Sequence, residues 1–493
     1  MNPLVSLQFA KRVFVALAAI SGVFLTAGCG SSGSVQSLGG GFTNASLKGQ
    51  YVMKQTGVGI NQAGTSADPF SEVTVFTADG STSGNLNVLE DDFNQDGVQL
   101  TGSGTGTYTI NSDGTGSLSF GGSSYAITLI DDSHFYLIEQ DNFATSSGSG
   151  QLQDTTAFTA TPSGAFVFKA HNIDTSSRVG GISIAAGVIS GTEDLLNAGF
   201  TSTSQAVASA VAMSAPDATI GRGTFTLTDG TSFGYYVVNS SAFYFMSNTT
   251  SLEIGQAEAQ TGGPFAPTTL ASNNSYVFGS SGDTNVTGPA GIHSAGVFTT
   301  DGNGGITGGA VDYVQDATVN TNLAVSGGSY TLTSNGRGQI NLTLSGGTIS
   351  PQIFWMVNST NAYFLSDNTL TVEDGTFSLQ SGAPFTALSG HSALAMDGVD
   401  VGGSKDRVGG FDTTSSGFNW NQTSNSFDPN TGIGTVVLLG TNGTATVSSN
   451  GRVAVTVSNV SPSLVFYLSS ANLGFMVEED SNVGGSFAQQ ASQ

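Results

Sequence analysis

The residues whose types could do chemistry are few in this 493-residue chain. The four histidines, His134, His171, His293 and His391, stand at different places in the pattern described below. None has the spacing of a helical metal-binding pair. Carboxylates cluster at Glu90-Asp91-Asp92, Glu193-Asp194, Glu373-Asp374 and Glu478-Glu479-Asp480. Two carboxyl groups can share glycoside hydrolysis when held roughly 5 to 9 Å apart across a cleft. Neighbours along a strand or loop point apart, so these are expected to be solvated charge. Asp92, Asn94 and Asp96, followed by Gly97, match the first half of a calcium loop, in which alternate oxygens and a glycine bend wrap a hard cation. The twelfth position is Ser103 rather than Glu, so this string is the one metal candidate and is local to one part of the chain. Glycine-rich strings lack the Lys and helix of a phosphate loop, and no Gly-x-Ser-x-Gly elbow joins a strand to a helix. Trp355 and Trp420 are the only tryptophans, thin for a sugar-stacking platform. Trp355 is expected half-buried, Trp420 exposed. We therefore expect no catalytic residues, no cofactor and no enzyme activity.

The elements that would position these groups come from a recurring stretch, Gly104 to Phe120. Tyr108 and Ile110 alternate with Thr107, Thr109 and Asn111, then Asp113-Gly114 turns and Leu118 and Phe120 resume the apolar side. Period two broken by a tight Gly turn is a hairpin signal. Variants start at Gly223, Gly328 and Gly443. The third continues as Gly336-Arg337-Gly338 with Ile340, Leu342 and Leu344 on one face. The fourth continues as Gly451 with Val453, Val455 and Val457. Opening strands precede each copy, carrying Tyr51, Phe166, Tyr276 and Leu394. Strands with a Gly-rich exit follow, such as Val75 to Gly80 and Arg407 to Phe411. Aromatic strand pairs come after the hairpin, and each unit closes with Gly, four residues and Gln, at Gln153, Gln260, Gln380 and Gln490.

A period near 110 residues is too long for a solenoid repeat, so each unit should own a core. The expected limits are 47–160, 161–270, 271–388 and 389–493. Sequential hairpins predict an all-β chain of four tandem antiparallel meanders, each closed into a small barrel or folded into a sandwich to protect its edges. The layout is similar to lipocalin or avidin architecture. A single membrane-spanning barrel would need outward apolar bands and aromatic girdles, which the sequence lacks.

Only 9% of residues are charged, and the formal net charge is −24. Such a surface repels phosphate backbones and has no basic patch to release counterions, which excludes nucleic acid as a partner. Cys29 is the only cysteine, so no disulfide can form within the chain.

Lys11-Arg12 precede the apolar run Val13 to Leu25, which ends in Leu25-Thr26-Ala27-Gly28-Cys29. A basic start, about 13 apolar residues and small residues at the cut form an export signal too short to span a bilayer. At these residues the chain resembles bacterial lipoproteins. The resemblance implies cleavage between Gly28 and Cys29 and a diacylglycerol on Cys29, so that residues 1–28 are signal peptide. With Lys11 and Arg12 removed, 9 basic residues of the 11 face 35 acidic ones. Gly30 rather than Asp after the cysteine implies, within that family, the outer membrane. Residues 29–46 then read as a lipidated Gly/Ser tether with a reach on the order of 20 to 25 Å. The four-unit arrangement is similar to repeat-bearing bacterial envelope lipoproteins.

The partners expected are the membrane, through lipid at Cys29, and an envelope protein or glycan. The function expected is structural, adhesive or protein-interacting. The alternative is a glycan or small-ligand site in or on the β-units, for which large apolar residues such as Tyr51, Tyr108, Phe120 and Phe135 leave little interior room.

Overall fold

The computed structural model describes residues 41–491 except 61–66, 96, 142, 173–175, 285–290, 317, 350, 401–402, 415–416, 429–431, 459–462 and 480–481. The leader, the Gly28/Cys29 cleavage site and most of the tether lie outside the described residues.

Each unit is an antiparallel meander closed on itself. Barrel 1 runs from Lys48–Ile60 to Ala144–Leu152, barrel 2 from Gly164–Asn172 to Glu253–Ala259, and barrel 4 from His391–Asp400 to Asn482–Gln489. Barrel 3 runs from Ser275–Thr284 to Thr371–Leu379. Its strand Arg337–Leu344 closes the wall by pairing with both Thr318–Leu332 and Gln352–Met356, and the two-residue strand Gly347–Thr348 adds to its edge. Neighbouring strands follow one another in sequence, and first and last strands pair, as Lys48–Ile60 does with Ala144–Leu152. Closure removes every edge at once, and four barrels, not sandwiches, result.

Alternation decides the inside. In Arg452–Val457, Val453, Val455 and Val457 are buried while Ala454 and Thr456 are exposed. Tyr51, Phe166, Tyr276 and Leu394, the opening-strand residues, all point into their barrels and are buried. In barrel 1, Tyr51 stacks on Phe76 at 5.7 Å between centroids and meets Phe135 at 5.9 Å. Each such ring is worth about 1.5–3 kcal/mol on burial. Trp420, expected on the surface, is fully buried and stacks on Phe411 in the core of barrel 4. Its indole N–H is satisfied by Gln422 at 3.1 Å, which lets a tryptophan enter a barrel. Trp355 is also buried, at an interface between barrels.

The far end of each interior is polar. Gln55 donates to Glu72 in barrel 1, Arg178 pairs with Glu253 and Glu193 in barrel 2, Ser294 donates to Glu373 in barrel 3, and Arg407 pairs with Glu478 in barrel 4. Barrel 3 has no arginine in this cluster, and a hollow of about 210 Å³ opens there beside Glu373, Tyr313 and Leu323.

The hairpin recurrence needs one correction. Gly223–Leu227, read as the second copy of the first hairpin strand, belongs one strand later. Gly221-Arg222-Gly223 starts the strand Arg222–Leu227, the counterpart of Gly336-Arg337-Gly338 in Arg337–Leu344. A long loop after the strand Thr203–Val211 takes the place of the tight turn, so the local Asp-Gly signal at Asp229-Gly230 marks the next turn along.

Candidate functional site

The four barrels pack side against side in a closed ring. Val52, Val73 and Val75 of barrel 1 bury against Tyr236, Val238, Tyr244 and Met246 of barrel 2. Val167, Val179 and Leu196 of barrel 2 meet Trp355, Val357, Tyr363 and Leu365 of barrel 3, and Val277, Ala295 and Val297 of barrel 3 meet Val465, Tyr467 and Val477 of barrel 4. Val408 of barrel 4 returns to Ala126 and Ile138 of barrel 1. The opening strands of one barrel thus receive the aromatic hairpin of the next, and the aromatic strand pairs present one face inward and one to a neighbour.

Three of these interfaces carry the same buried clamp. Asp92 takes the Arg222 Nε at 2.6 Å and the Tyr236 hydroxyl. Asp194 takes Arg337 through two nitrogens, at 2.6 to 3.1 Å, and the Trp355 indole N–H at 2.9 Å. Asp312 takes Arg452 at 2.6 and 2.8 Å and the Tyr467 hydroxyl. The three aspartates are 0–2% exposed, so removing either partner would strand a desolvated charge. Burial works against the guanidinium charge of Arg222, yet the neighbouring Tyr236 and Asp92 outweigh it and push its pKa further up.

The closing glutamines make a second, fourfold joint. The Gln153 side chain donates to Val237 and Ile220 carbonyls, Gln260 to Met356 and Asn335, Gln380 to Leu468 and Asn450, and Gln490 to Leu129 and Asp113. In every case the carbonyls belong to the next barrel, and for Gln490 the next barrel is the first. Gly336 shows why the turn beneath needs glycine: its φ is +94°, and a Cβ would lie 2.6 Å from the Gln260 amide nitrogen. Positive φ and close approach both exclude a side chain there.

At the centre of the ring lie two adjoining hollows of about 310 and 320 Å³, lined by strands of all four barrels. Lys54, Lys169, Gly279 and Ala395 occupy corresponding places on the four opening strands, each paired with the residue after the closing glycine, Ser149, Gln256, Thr376 and Ser486, and Asp397 follows two residues beyond Ala395. Lys54 lies over the Tyr244 ring of the next barrel at 5.2 Å and Lys169 over Tyr363 at 5.8 Å. Lys169 also reaches Asp374 at 3.3 Å, and His171 Nδ1 lies 3.1 Å from the same carboxylate. Burial pushes the Asp374 carboxyl up, but Lys169, His171 and Ser177 overcome it and hold it well below the usual range. Burial raises Asp397 to about 6 and Asp406 to about 8, and lowers His293 to about 4. Burial, reinforced by Lys169, brings Lys54 down to about 8.

The axis therefore gathers His171 and His293, which stand at different landmarks in sequence. His134 is exposed and pairs with Asp131, and His391 pairs with Asp412. His293 is buried, on the strand Gly291–Thr300. The carboxylate clusters depart further: Asp92, Glu193, Asp194, Glu373, Asp374 and Glu478 are all buried. Each strand pair splits across the wall, Glu193 to the interior and Asp194 to the clamp, Glu373 to the interior and Asp374 to the axis. Of the calcium-loop residues, Asp92 is in the first clamp and Asn94 donates to the Thr249 and Ser251 carbonyls of barrel 2. Asp96 lies outside the described residues. Among the described residues, no group of three or more His, Cys, Asp or Glu is placed to hold a metal ion.

No family model and no curated protein matches the chain. Among solved structures, transferrin binding protein B of serogroup B Neisseria meningitidis aligns at 8% identity and a TM-score of 0.20, over 67% of this chain and 75% of that one. A double mutant of transferrin binding protein B from Haemophilus parasuis aligns at 7% identity and a TM-score of 0.19, over the same shares. At those scores the likeness carries no argument about function.

Proposed function

We propose that the chain is a non-enzymatic lipoprotein of the cell envelope, held to the outer membrane through lipid on Cys29, whose four barrels form a rigid structural, adhesive or protein-interacting ring. One observation supports this most: barrels 1, 2 and 4 are filled by their own aromatic and aliphatic side chains, and all four are tied by buried joints. Filled interiors leave no cup for a ligand in those three barrels, and joints at every interface suit a body that presents a fixed outer surface. Against hydrolysis stands the splitting of each adjacent acid pair across a barrel wall. The units proposed for separate expression keep the limits 47–160, 161–270, 271–388 and 389–493, after a signal at 1–28 and a tether at 29–46.

Labelling cells that express the full chain with a fatty-acid probe tests the anchor. The wild-type protein should carry label and sediment with outer membranes, and Cys29→Ser should lose both. Equal membrane recovery of the unlabelled variant would overturn the anchoring.

A further inference from the structure

The central hollow is made by all four barrels, so it exists only in the assembled ring. Its lining is unlike the barrel interiors: Ser147, Ser149 and Ser281 offer hydroxyls, glycines bring backbone close, and few side chains are apolar. Within it Lys54 stands out. Among the described residues, the one close contact of its ammonium is the Tyr244 ring, with Asp374 and Glu258 acting on it only as more distant charges. The other described cation on this wall, Lys169, already has Asp374. In a chain with 11 basic and 35 acidic residues, leaving one half-buried ammonium without a carboxylate is costly. An anion entering the hollow would remove that cost.

We propose that the axis of the ring binds a small hydroxylated carboxylate, about the size of one acidic sugar, with its carboxylate on Lys54 and its hydroxyls on the serines of the wall. The size follows from the one of the two adjoining hollows that Lys54 lines, of about 310 Å³, which holds one ring-sized molecule beside the ammonium. A single negative charge follows from the wall. Asp374 is neutralised by Lys169 and His171, whereas a dianion would also meet Asp283, Asp397 and Asp406 with only Lys54 to spare. The hydroxyls follow from the serines: Ser149 already serves Tyr244 and Ser147 serves Asp406, and a polyol can use the hydrogen-bonding capacity they have left, which an apolar ligand would leave unmet. Solvent reaches the site, since the Lys169, His171 and Asp283 side chains are 26%, 27% and 28% exposed. This inference is independent of the anchor and of any role for the outer surface.

Titration calorimetry on the full ring at pH 6 with D-glucuronate, D-glucose and inorganic phosphate tests it. Glucuronate should bind once per chain, and glucose and phosphate at least tenfold more weakly. Lys54→Met removes a half-buried charge at nearly constant volume and should weaken glucuronate at least tenfold while leaving the thermal midpoint equal or higher. Ser281→Leu, which fills the hollow and leaves the Lys54 ammonium in place, should weaken it as much. The absence of saturable glucuronate binding, unchanged binding in both variants, or phosphate binding as tight as glucuronate would each overturn the assignment.

Discussion

At three interfaces of the ring a buried aspartate meets an arginine and an aromatic donor, whereas between barrels 4 and 1 the corresponding places hold Thr423, Thr115 and Thr128. That fourth joint is made of amides. Asn421 donates to Asp113 at 2.8 Å, Asn425 to the Glu139 and Ala144 carbonyls at 2.8 and 3.2 Å, and Gln490 to Leu129 and Asp113. Asp406 accepts a short bond from Thr145. The three clamped joints lie between units adjacent in the chain, while the amide joint closes the ring over its full length. Ion pairs with fixed geometry set register at some cost in desolvation, and neutral hydrogen bonds hold with less penalty on parting. The ring is thus firm along the chain and softest at its closure, where it should open first.

The largest test breaks a clamp. Asp194→Ala leaves the Arg337 guanidinium and the Trp355 N–H without their carboxylate, and should destabilise by about 3–5 kcal/mol in denaturant titrations; a loss below about 1 kcal/mol would contradict a buried clamp. Next comes the closure itself. Gln490→Ala strips two carbonyls of their donor and should cost about 1–3 kcal/mol. Hydrogen exchange should then quicken along the strands Ser123–Leu129 and Asn482–Gln489 before the interface of barrels 2 and 3, and uniform quickening would deny that the closure is the soft joint. A smaller effect is set by pH. Burial raises Asp406 from 3.8 to about 8, so between those values the native state holds a proton that the unfolded chain has lost. Stability from this group is full below pH 3.8 and declines as pH rises toward 8, by on the order of 1 kcal/mol per pH unit. Asp406→Asn should flatten that decline, and an unchanged slope from pH 5 to 7 would remove Asp406 from the account. Smallest is Thr128→Val. Among the described residues the buried Thr128 hydroxyl has no hydrogen-bond partner, so an isosteric apolar side chain should leave stability equal or raise it by up to about 1 kcal/mol.

How much of this was legible follows from where each signal has its partner. Alternation and glycine turns act within a strand or hairpin, and they gave antiparallel all-β units in tandem, with barrel or sandwich left open. The glutamines at 153, 260, 380 and 490 were visible as a recurrence but mute, because each serves carbonyls of the following unit. Asp92 and Asp194 looked like solvated charge and Asp312 drew no reading at all, since their arginines lie 130 to 143 positions away. A signal existed nonetheless: Gly221-Arg222, Gly336-Arg337 and Gly451-Arg452 put three of 11 basic residues at one landmark. Trp420 carried no such sign, since Gln422, two residues on, satisfies it inside the wall. The axial Lys54 was equally silent, because only assembly of the ring encloses it.

The docking of Gln490 on barrel 1 also makes the number of units a closed count. In a stacked solenoid another repeat can be appended, since each end only meets a neighbour. Here Phe42 and Gln490 both press against Gly114, so the two ends of the described chain converge on a single turn. Duplication of one unit would leave a glutamine without a receiving turn, and loss of one would leave a turn unfilled. Expansion or contraction of the gene in steps of one unit is therefore opposed by geometry, while a circular permutant starting at the second unit keeps every joint.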